Sequence, residues 1–297
     1  MHTVKSRLLH LYESSVLSRT KIKKLLQLDS TLSSLYKYST SQFASLLNLP
    51  KSKASALSHY LHTSPALPLP KGVQAITLLD DHYPLMLRFI KDPPLVLYAL
   101  GDTSLLKDSP ALSVVGTRYP TKQAFPIMVR ILQPLIEDKW TLVSGMARGI
   151  DSFAHKLAID HGGKTIAVLG GGFDYIYPKE NERLFQELAS SQLVLSEYPP
   201  STRPQRYYFP ERNRIISGLG FGTLVIEAKE KSGSLITVEQ ALDQGREVFA
   251  VPGSPLDPQS HGCHKMIQDG AKLVQNTYDL QLEWELERQK WSRIRSK

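Results

Sequence analysis

The chain has 297 residues, 41% hydrophobic and 22% charged, an ordinary globular usage that excludes wholesale disorder and, at this length, predicts about two domains. A single cysteine excludes an intramolecular disulfide framework. No stretch reaches the ~18 apolar residues of a membrane helix, and the N-terminus lacks a secretory apolar run, so a cytoplasmic protein is expected.

The net charge of +8 is unevenly distributed. Residues 1–70 hold nine Lys and Arg against two Asp and Glu, whereas the other 227 residues hold 27 against 26. A basic head on a neutral body points to a polyanion partner or to a solvated lysine face.

Residues 1–62 show apolar positions at helical spacing: Ile22, Leu25, Leu26 and Leu28, then Phe43, Leu46 and Leu47, and, after the break Asn48-Leu49-Pro50-Lys51, Ala54, Leu57, Tyr60 and Leu61. Several short helices with basic turns resemble a SAM-like or helix-hairpin-helix module, although the glycines that usually shape the hairpin are missing. Residues 63–72 hold three prolines and a glycine and read as a linker. From there the pattern changes. Apolar, β-rich runs at 111–116, 141–144, 165–169, 193–196, 223–227 and 247–251 are separated by helical patterns at 122–137, 152–160, 180–190, 211–217 and 234–244. Buried strands alternating with helices predict an α/β fold with a doubly wound, mostly parallel sheet, flanked or extended by strands at 73–79 and 94–99.

In such a sheet the ligand crevice lies at the carboxyl ends of the strands, so the residues after each strand are the candidates. The first strand leads into Gly116-Thr117-Arg118-Tyr119-Pro120, where glycine permits close backbone approach, Pro120 suits a first helical turn, and Arg118 could grip a phosphate. The second ends in small residues at 144, 145, 147 and 149, followed by Asp151. This aspartate is expected to cap the next helix, and it stands i,i+4 from His155, a spacing that allows an ion pair. The third runs into Gly170-Gly171-Gly172, a costly run for a plain turn and therefore a candidate binding loop. Lys179 then opens the next helix against the helix dipole, on the same rim as Arg118, which suggests phosphate contact.

Beyond the fourth strand, residues 203–214 interleave cations with aromatics, as single-stranded nucleic acid binding requires; alternatively Tyr208 and Phe209 pack in the core and Glu211 pairs with an arginine. Ser234 or Thr237 could cap the helix after the fifth strand. The sequence has no P-loop and no GxSxG elbow, and His261-Gly262-Cys263-His264 lacks a second ligand pair, so neither a metal nor a cofactor is expected.

Taken together, SVVGTR, LVSGMARGID, AVLGGGFDYIYPKEN, SEYPP, FPERNRIISGL, VIEAKEKSGSLITVEQALDQGREVFAVPG and HGCHKMIQDGAKLV resemble the DNA-processing protein A family (DprA, also called Smf) over about residues 73–275. The resemblance implies an extended Rossmann-like domain at 73–275 after a small all-α SAM-like domain at 1–62. A helical tail at 276–297 would follow, and no winged-helix domain is expected. It implies a non-enzymatic protein that binds single-stranded DNA and helps load RecA recombinase in natural transformation and homologous recombination, with single-stranded DNA-binding protein (SSB) as a candidate further partner. Residue by residue it points to Arg118, Lys179, Arg212 and Arg214 on DNA, with the glycine loops at Gly116 and Gly171 lining the same groove. It also implies a homodimer through the C-terminal side, where His264, Ile267 and Leu273 are the candidates. The alternative is a Rossmann-like nucleotide phosphoribohydrolase of the LOG type. In 218–227 the Pro-Gly start of that family's motif is missing, and Glu227 falls one position late, on the opposite strand face.

Overall fold

A computed structural model describes residues 3–65, 68–107 and 110–295. The chain divides into two compact units, Met1–Lys71 with Thr77–Asp81, and Gly72–Ile76 with His82–Lys297.

The first unit is helical: α1 (Val4–Glu13), α2 (Arg19–Leu28), α3 (Thr40–Leu47) and α4 (Lys51–Thr63), with a 3-10 turn at Ser33–Lys37. Its core is the predicted helical spacing made solid, with Ile22, Leu25, Phe43, Leu47, Ala54, Leu57 and Leu61 all buried. Leu28, by contrast, is 55% exposed. Ser39 and Gln42 form a reciprocal capping box that starts α3, and Asn48 in the left-handed region (φ 46°) ends it. The turn to α4 is therefore encoded locally.

The second unit contains β1 (Val73–Thr77, except for its last residue), α5 (Leu85–Arg88), β2 (Val96–Gly101), β3 (Ala111–Val115), α6 (Ala124–Glu137), β4 (Thr141–Ser144), α7 (Ile150–Asp160) and β5 (Lys164–Leu169). It continues with α8 (Glu182–Ser191), β6 (Leu193–Ser196), α9 (Tyr208–Leu219), β7 (Gly222–Val225), α10 (Ser234–Asp243), β8 (Glu247–Ala250), α11 (His261–Gln268), β9 (Lys272–Leu273) and α12 (Thr277–Arg295). Among the described residues nine strands form one sheet in the order β1-β2-β6-β5-β4-β3-β7-β8-β9. From β6 to β9 the pairing is parallel throughout, and β2 joins β6 antiparallel, Tyr98 opposite Ser196. This is the doubly wound, mostly parallel Rossmann-like sheet expected from the alternating apolar runs.

Strand order is what creates the site. β3 pairs with β4 on one side (Leu112 opposite Leu142) and with β7 on the other (Leu112 opposite Gly222). From β3 the chain winds outward through β4, β5 and β6, then crosses back to β7, β8 and β9. The crossover leaves a topological switch point between β3 and β7, where the loops at the carboxyl ends diverge and open a crevice.

One local expectation is corrected. Pro120 does not stand in the first turn of a helix, because residues 116–123 are loop and α6 starts at Ala124. Within 276–297 the described residues form a helix, α12, and it packs against the sheet. In α12, Leu280 is fully buried in the sheet's core cluster, and Trp284 packs edge-on against Trp140 at 5.9 Å and Phe221 at 5.3 Å. Among the described residues no helix is long and apolar enough to cross a membrane.

Candidate nucleic-acid interface

The crevice at the switch point has a volume of about 790 Å³. Its walls come from the β3–α6 loop (Gly116, Arg118, Tyr119), the β4–α7 loop (Ala147, Asp151), the start of α9 (Phe209, Arg212, Asn213) and the start of α10 (Ser234, Thr237). Beside it lies a second depression of about 700 Å³, lined by Arg148, Tyr175, Lys179 and Arg203 among others. The two share Tyr177 and Pro204, so they meet at a common ridge. Around them Arg118, Arg203, Arg206 and Lys179 are exposed cations. Tyr119, Tyr175, Tyr177 and Tyr207 are 70%, 37%, 53% and 60% exposed. Exposed rings are costly in water, and here they stand among cations. Arg203 lies over the Tyr175 ring at 4.7 Å. Arg118 and Lys179 thus stand in adjoining depressions rather than in one.

The loop bearing Arg118 and Tyr119 is fixed by Glu227. Its buried carboxylate accepts from Thr121 N at 2.9 Å and from Thr121 Oγ1 at 2.5 Å, and its backbone carbonyl accepts from Thr117 N at 2.8 Å. The residue compared above with the glutamate of the phosphoribohydrolase motif therefore holds the loop, and it does not line the crevice.

Arg212 and Arg214 are only 5% and 8% exposed, unlike Arg118. The Arg212 guanidinium enters the crevice floor, donating Nη1–H to Gly145 O at 2.7 Å and to Val168 O, and Nε–H to Asn213 Oδ1 at 3.2 Å. A β-carbon at Gly145 would lie 2.5 Å from Nη1, so only glycine admits the guanidinium there. Burial pulls the Arg212 pKa down to about 10, and the Asp151 carboxylate works in the opposite direction. Arg214 faces away from the crevice. It donates to Glu197 Oε1 at 2.7 Å, an ion pair in which Glu197 is 1% exposed, and to Asp92 Oδ2 at 3.4 Å.

Asp151 does not cap α7. It is the second residue of that helix, and its Oδ2 accepts instead from Gly145 N at 3.1 Å and Ala147 N at 3.4 Å, shaping the preceding loop. Burial raises its pKa, and the nearby Arg212 cation opposes the rise. The same loop is held from the other side by Asn181, whose Nδ2 donates to Met146 O at 2.9 Å. His155 forms no pair with Asp151. Its Nδ1 meets Thr165 Oγ1 at 2.7 Å, and that hydroxyl gives its proton to Leu142 O. The imidazole must then donate from Nδ1, leaving Nε2 bare. Burial first, and the Arg212 charge second, hold its pKa near 3.

Gly171 is buried, and a β-carbon on it would touch Pro204 at 3.0 Å. The triple-glycine loop is thus packed under residues 199–209 and does not form the crevice surface. Gly116, half-buried, does line it. Lys179 begins a 3-10 turn that leads into α8 and is exposed. Tyr208 stacks on Tyr198 at 3.8 Å, while Phe209 packs 5.5 Å from Tyr177 and lines the crevice; both are half-buried, so neither is a core residue. Glu211 accepts from the Tyr198 hydroxyl at 3.1 Å. Sequence reasoning passed over Arg148, which is paired with Glu180 at the rim of the second depression, and over the exposed Tyr175 and Tyr177. The available signal was the aromatic triplet spacing in Tyr175-Ile176-Tyr177 after the glycines.

On the C-terminal side, Ile267 is half-buried and Leu273 is 43% exposed on the edge strand β9, whereas Met266 and Val274 point into the core. His264 Nε2 lies 3.0 Å from Gly253 O. Cys263 is fully buried, its thiol pushed up to about 12 by burial, and among the described residues no group of three or more His, Cys, Asp and Glu is placed to hold a metal.

A doubly wound sheet with a basic, aromatic-rimmed crevice at its switch point defines a Rossmann-like binding domain. The model of the DNA recombination-mediator protein A family matches residues 74–285, and the chain belongs to that family. It is 47% identical over 210 residues to the DNA processing protein DprA of Bacillus subtilis, covering 71% of each chain. Against DprA of Streptococcus pneumoniae it is 49% identical over 211 residues, covering 71% of this chain and 74% of the relative. The crystal structure of S. pneumoniae DprA superposes with a TM-score of 0.80 at 39% identity, over 92% of this chain and 95% of that one. DNA processing protein A from Helicobacter pylori, solved for its single-stranded DNA binding mode, superposes with a TM-score of 0.64 at 30% identity, over 71% of this chain and 97% of that one.

Proposed function

We propose that this protein binds single-stranded DNA along the two adjoining depressions and hands the strand to RecA recombinase, without itself catalysing a reaction. The reading rests on one observation: exposed cations and the exposed rings of Tyr119, Tyr175 and Tyr177 line two depressions that share Tyr177 and Pro204. Arg118, Arg203, Arg206 and Lys179 meet successive phosphates, and the tyrosine rings stack on unpaired bases. Each stacked base contributes roughly 1–3 kcal/mol, and stacking is available only where bases are unpaired. Arg212, Asp151 and Gly116 set the floor. Ile267 and Leu273 join two copies of the chain through the β9 edge, so that two linked grooves hold one strand with raised avidity. The setting is cytoplasmic, with SSB as the competitor to be displaced.

Fluorescence anisotropy with a labelled oligo-dT and a duplex of equal length tests the first step. Single-stranded DNA should bind more tightly, and full oligo-dT binding by Arg118→Ala/Lys179→Ala would overturn the reading. The second step is tested by RecA nucleation on SSB-coated strand, where the protein should shorten the lag. An unchanged lag at saturating protein would remove the mediator role.

A further inference from the structure

The helical unit offers a surface of a different chemistry. Lys24 Nζ donates to Leu46 O at 2.7 Å and Lys21 Nζ to Asn48 O at 3.2 Å, so α2 lays two ammonium groups on the turn between α3 and α4. Lys51 and Lys53 follow immediately, exposed in the first turn of α4. Four lysines therefore surround one turn. α4 starts on Pro50 with no side-chain cap and no acid in its first turn, and cations there oppose the helix dipole. The two acids within residues 1–70 are occupied elsewhere. Asp29 accepts from Thr31, Ser33 and Ser34, and Glu13 acts on Tyr60, toward the other end of α4.

The same unit lacks what the crevice has. Among its described residues no tyrosine or phenylalanine is exposed: Tyr12, Tyr36, Tyr38 and Tyr60 are half-buried, Phe43 is buried, and the exposed imidazoles of His59 and His62 lie toward the other end of α4 from these lysines. A surface of point charges without rings cannot stack on bases and responds to phosphate density alone. Duplex DNA presents one phosphate per ~1.7 Å of axis, about twice the density along a single strand.

We propose that Lys21, Lys24, Lys51 and Lys53 form a second nucleic-acid surface, for the phosphate backbone of duplex DNA, separate from the crevice. The experiment uses the full chain in four forms: wild type, Arg118→Ala/Lys179→Ala, Lys51→Gln/Lys53→Gln, and Lys37→Gln as a control. Lys37 serves because Tyr36 O contacts His62 Nε2 at 3.1 Å, which puts it near the far end of α4. Each form is titrated with a fluorescein-labelled duplex and with labelled oligo-dT across a fourfold salt range.

The crevice variant should lose oligo-dT but keep the duplex. Lys51→Gln/Lys53→Gln should weaken duplex binding and lower its salt slope by about 1.8, at 0.9 per phosphate contact, and Lys37→Gln should leave it unchanged. Circular dichroism should match wild type for all, since Gln at an exposed helix start removes no packing. Failure of the crevice reading is separately visible, as full oligo-dT binding by Arg118→Ala/Lys179→Ala. An unchanged duplex slope in Lys51→Gln/Lys53→Gln refutes the surface. So does polyglutamate of equal charge competing as well as duplex, which would make the partner an acidic protein.

Discussion

Gly145→Ala probes whether Arg212 is built into the crevice floor or is an arm for DNA. The added β-carbon would sit 2.5 Å from Nη1 and 2.6 Å from Cζ of Arg212, about an ångström inside ordinary contact. The guanidinium would have to leave, giving up its bonds to Gly145 O and Val168 O and uncovering Asp151. Breaking a buried charge pair from one side costs about 3–5 kcal/mol, a large part of a typical total of about 5–15 kcal/mol. Arg212→Met should cost a similar amount, because it leaves the same carbonyls and carboxylate without their partner. In the double variant the clash no longer exists, so its cost should fall short of the sum by about 2 kcal/mol or more. Urea unfolding followed by tryptophan fluorescence measures this, since all three tryptophans, Trp140, Trp284 and Trp291, belong to the second unit. Additive costs would refute the interlock. Arg212→Met with wild-type stability and lost DNA binding would make this residue a contact after all.

Arg118→Ala and Lys179→Ala should each lower the salt slope of oligo-dT binding by about 0.7, the value for one single-strand phosphate contact; an unchanged slope removes that residue from the site. Glu180→Gln should tighten single-strand binding, because it frees the Arg148 side chain that Glu180 now holds and withdraws a negative charge from the rim. Weaker binding by this variant would show that the pair positions Arg148 rather than competing for it. His155, held near pKa 3 against an ordinary 6.5, is neutral when folded, so the unfolded chain takes up the proton first. Its stability contribution is complete above pH ~6.5 and is lost as pH falls toward 3, about 2 kcal/mol of it between pH 7 and pH 5. His155→Gln should flatten the stability profile over that interval, and the same slope in wild type and variant would sink the assignment. Ile267→Glu should yield a folded monomer by light scattering with weakened DNA complexes. Aggregation or a lost circular dichroism signal would mean that Ile267 closes the protomer's own core.

The sequence by itself determined the alternation of strand and helix, because each element is written in local spacing: the apolar run of 165–169, the helical spacing of Ile22 and Leu25, the capping residues of α3. It also pointed to the loops at the strand ends, since Gly116-Thr117-Arg118 and the cations and rings of 203–214 are legible as chemistry once strands are assigned. Tertiary structure alone decided which of three similar arginines faces solvent. Arg118 lies free on a loop rim, Arg212 is drawn in by Gly145, 67 positions away in sequence, and Arg214 by Glu197, 17 positions away. Nothing in the local sequence around an arginine states whether a glycine gap or a buried carboxylate will stand opposite it. The same holds for His155, whose partner is Thr165 on β5 rather than Asp151 one turn earlier on α7, and for α12, whose helical spacing does not state that Leu280 and Trp284 meet the sheet core. Burial and pairing depend on neighbours that strand order brings together. That order, with its reversal between β3 and β7, follows from packing the whole chain at once.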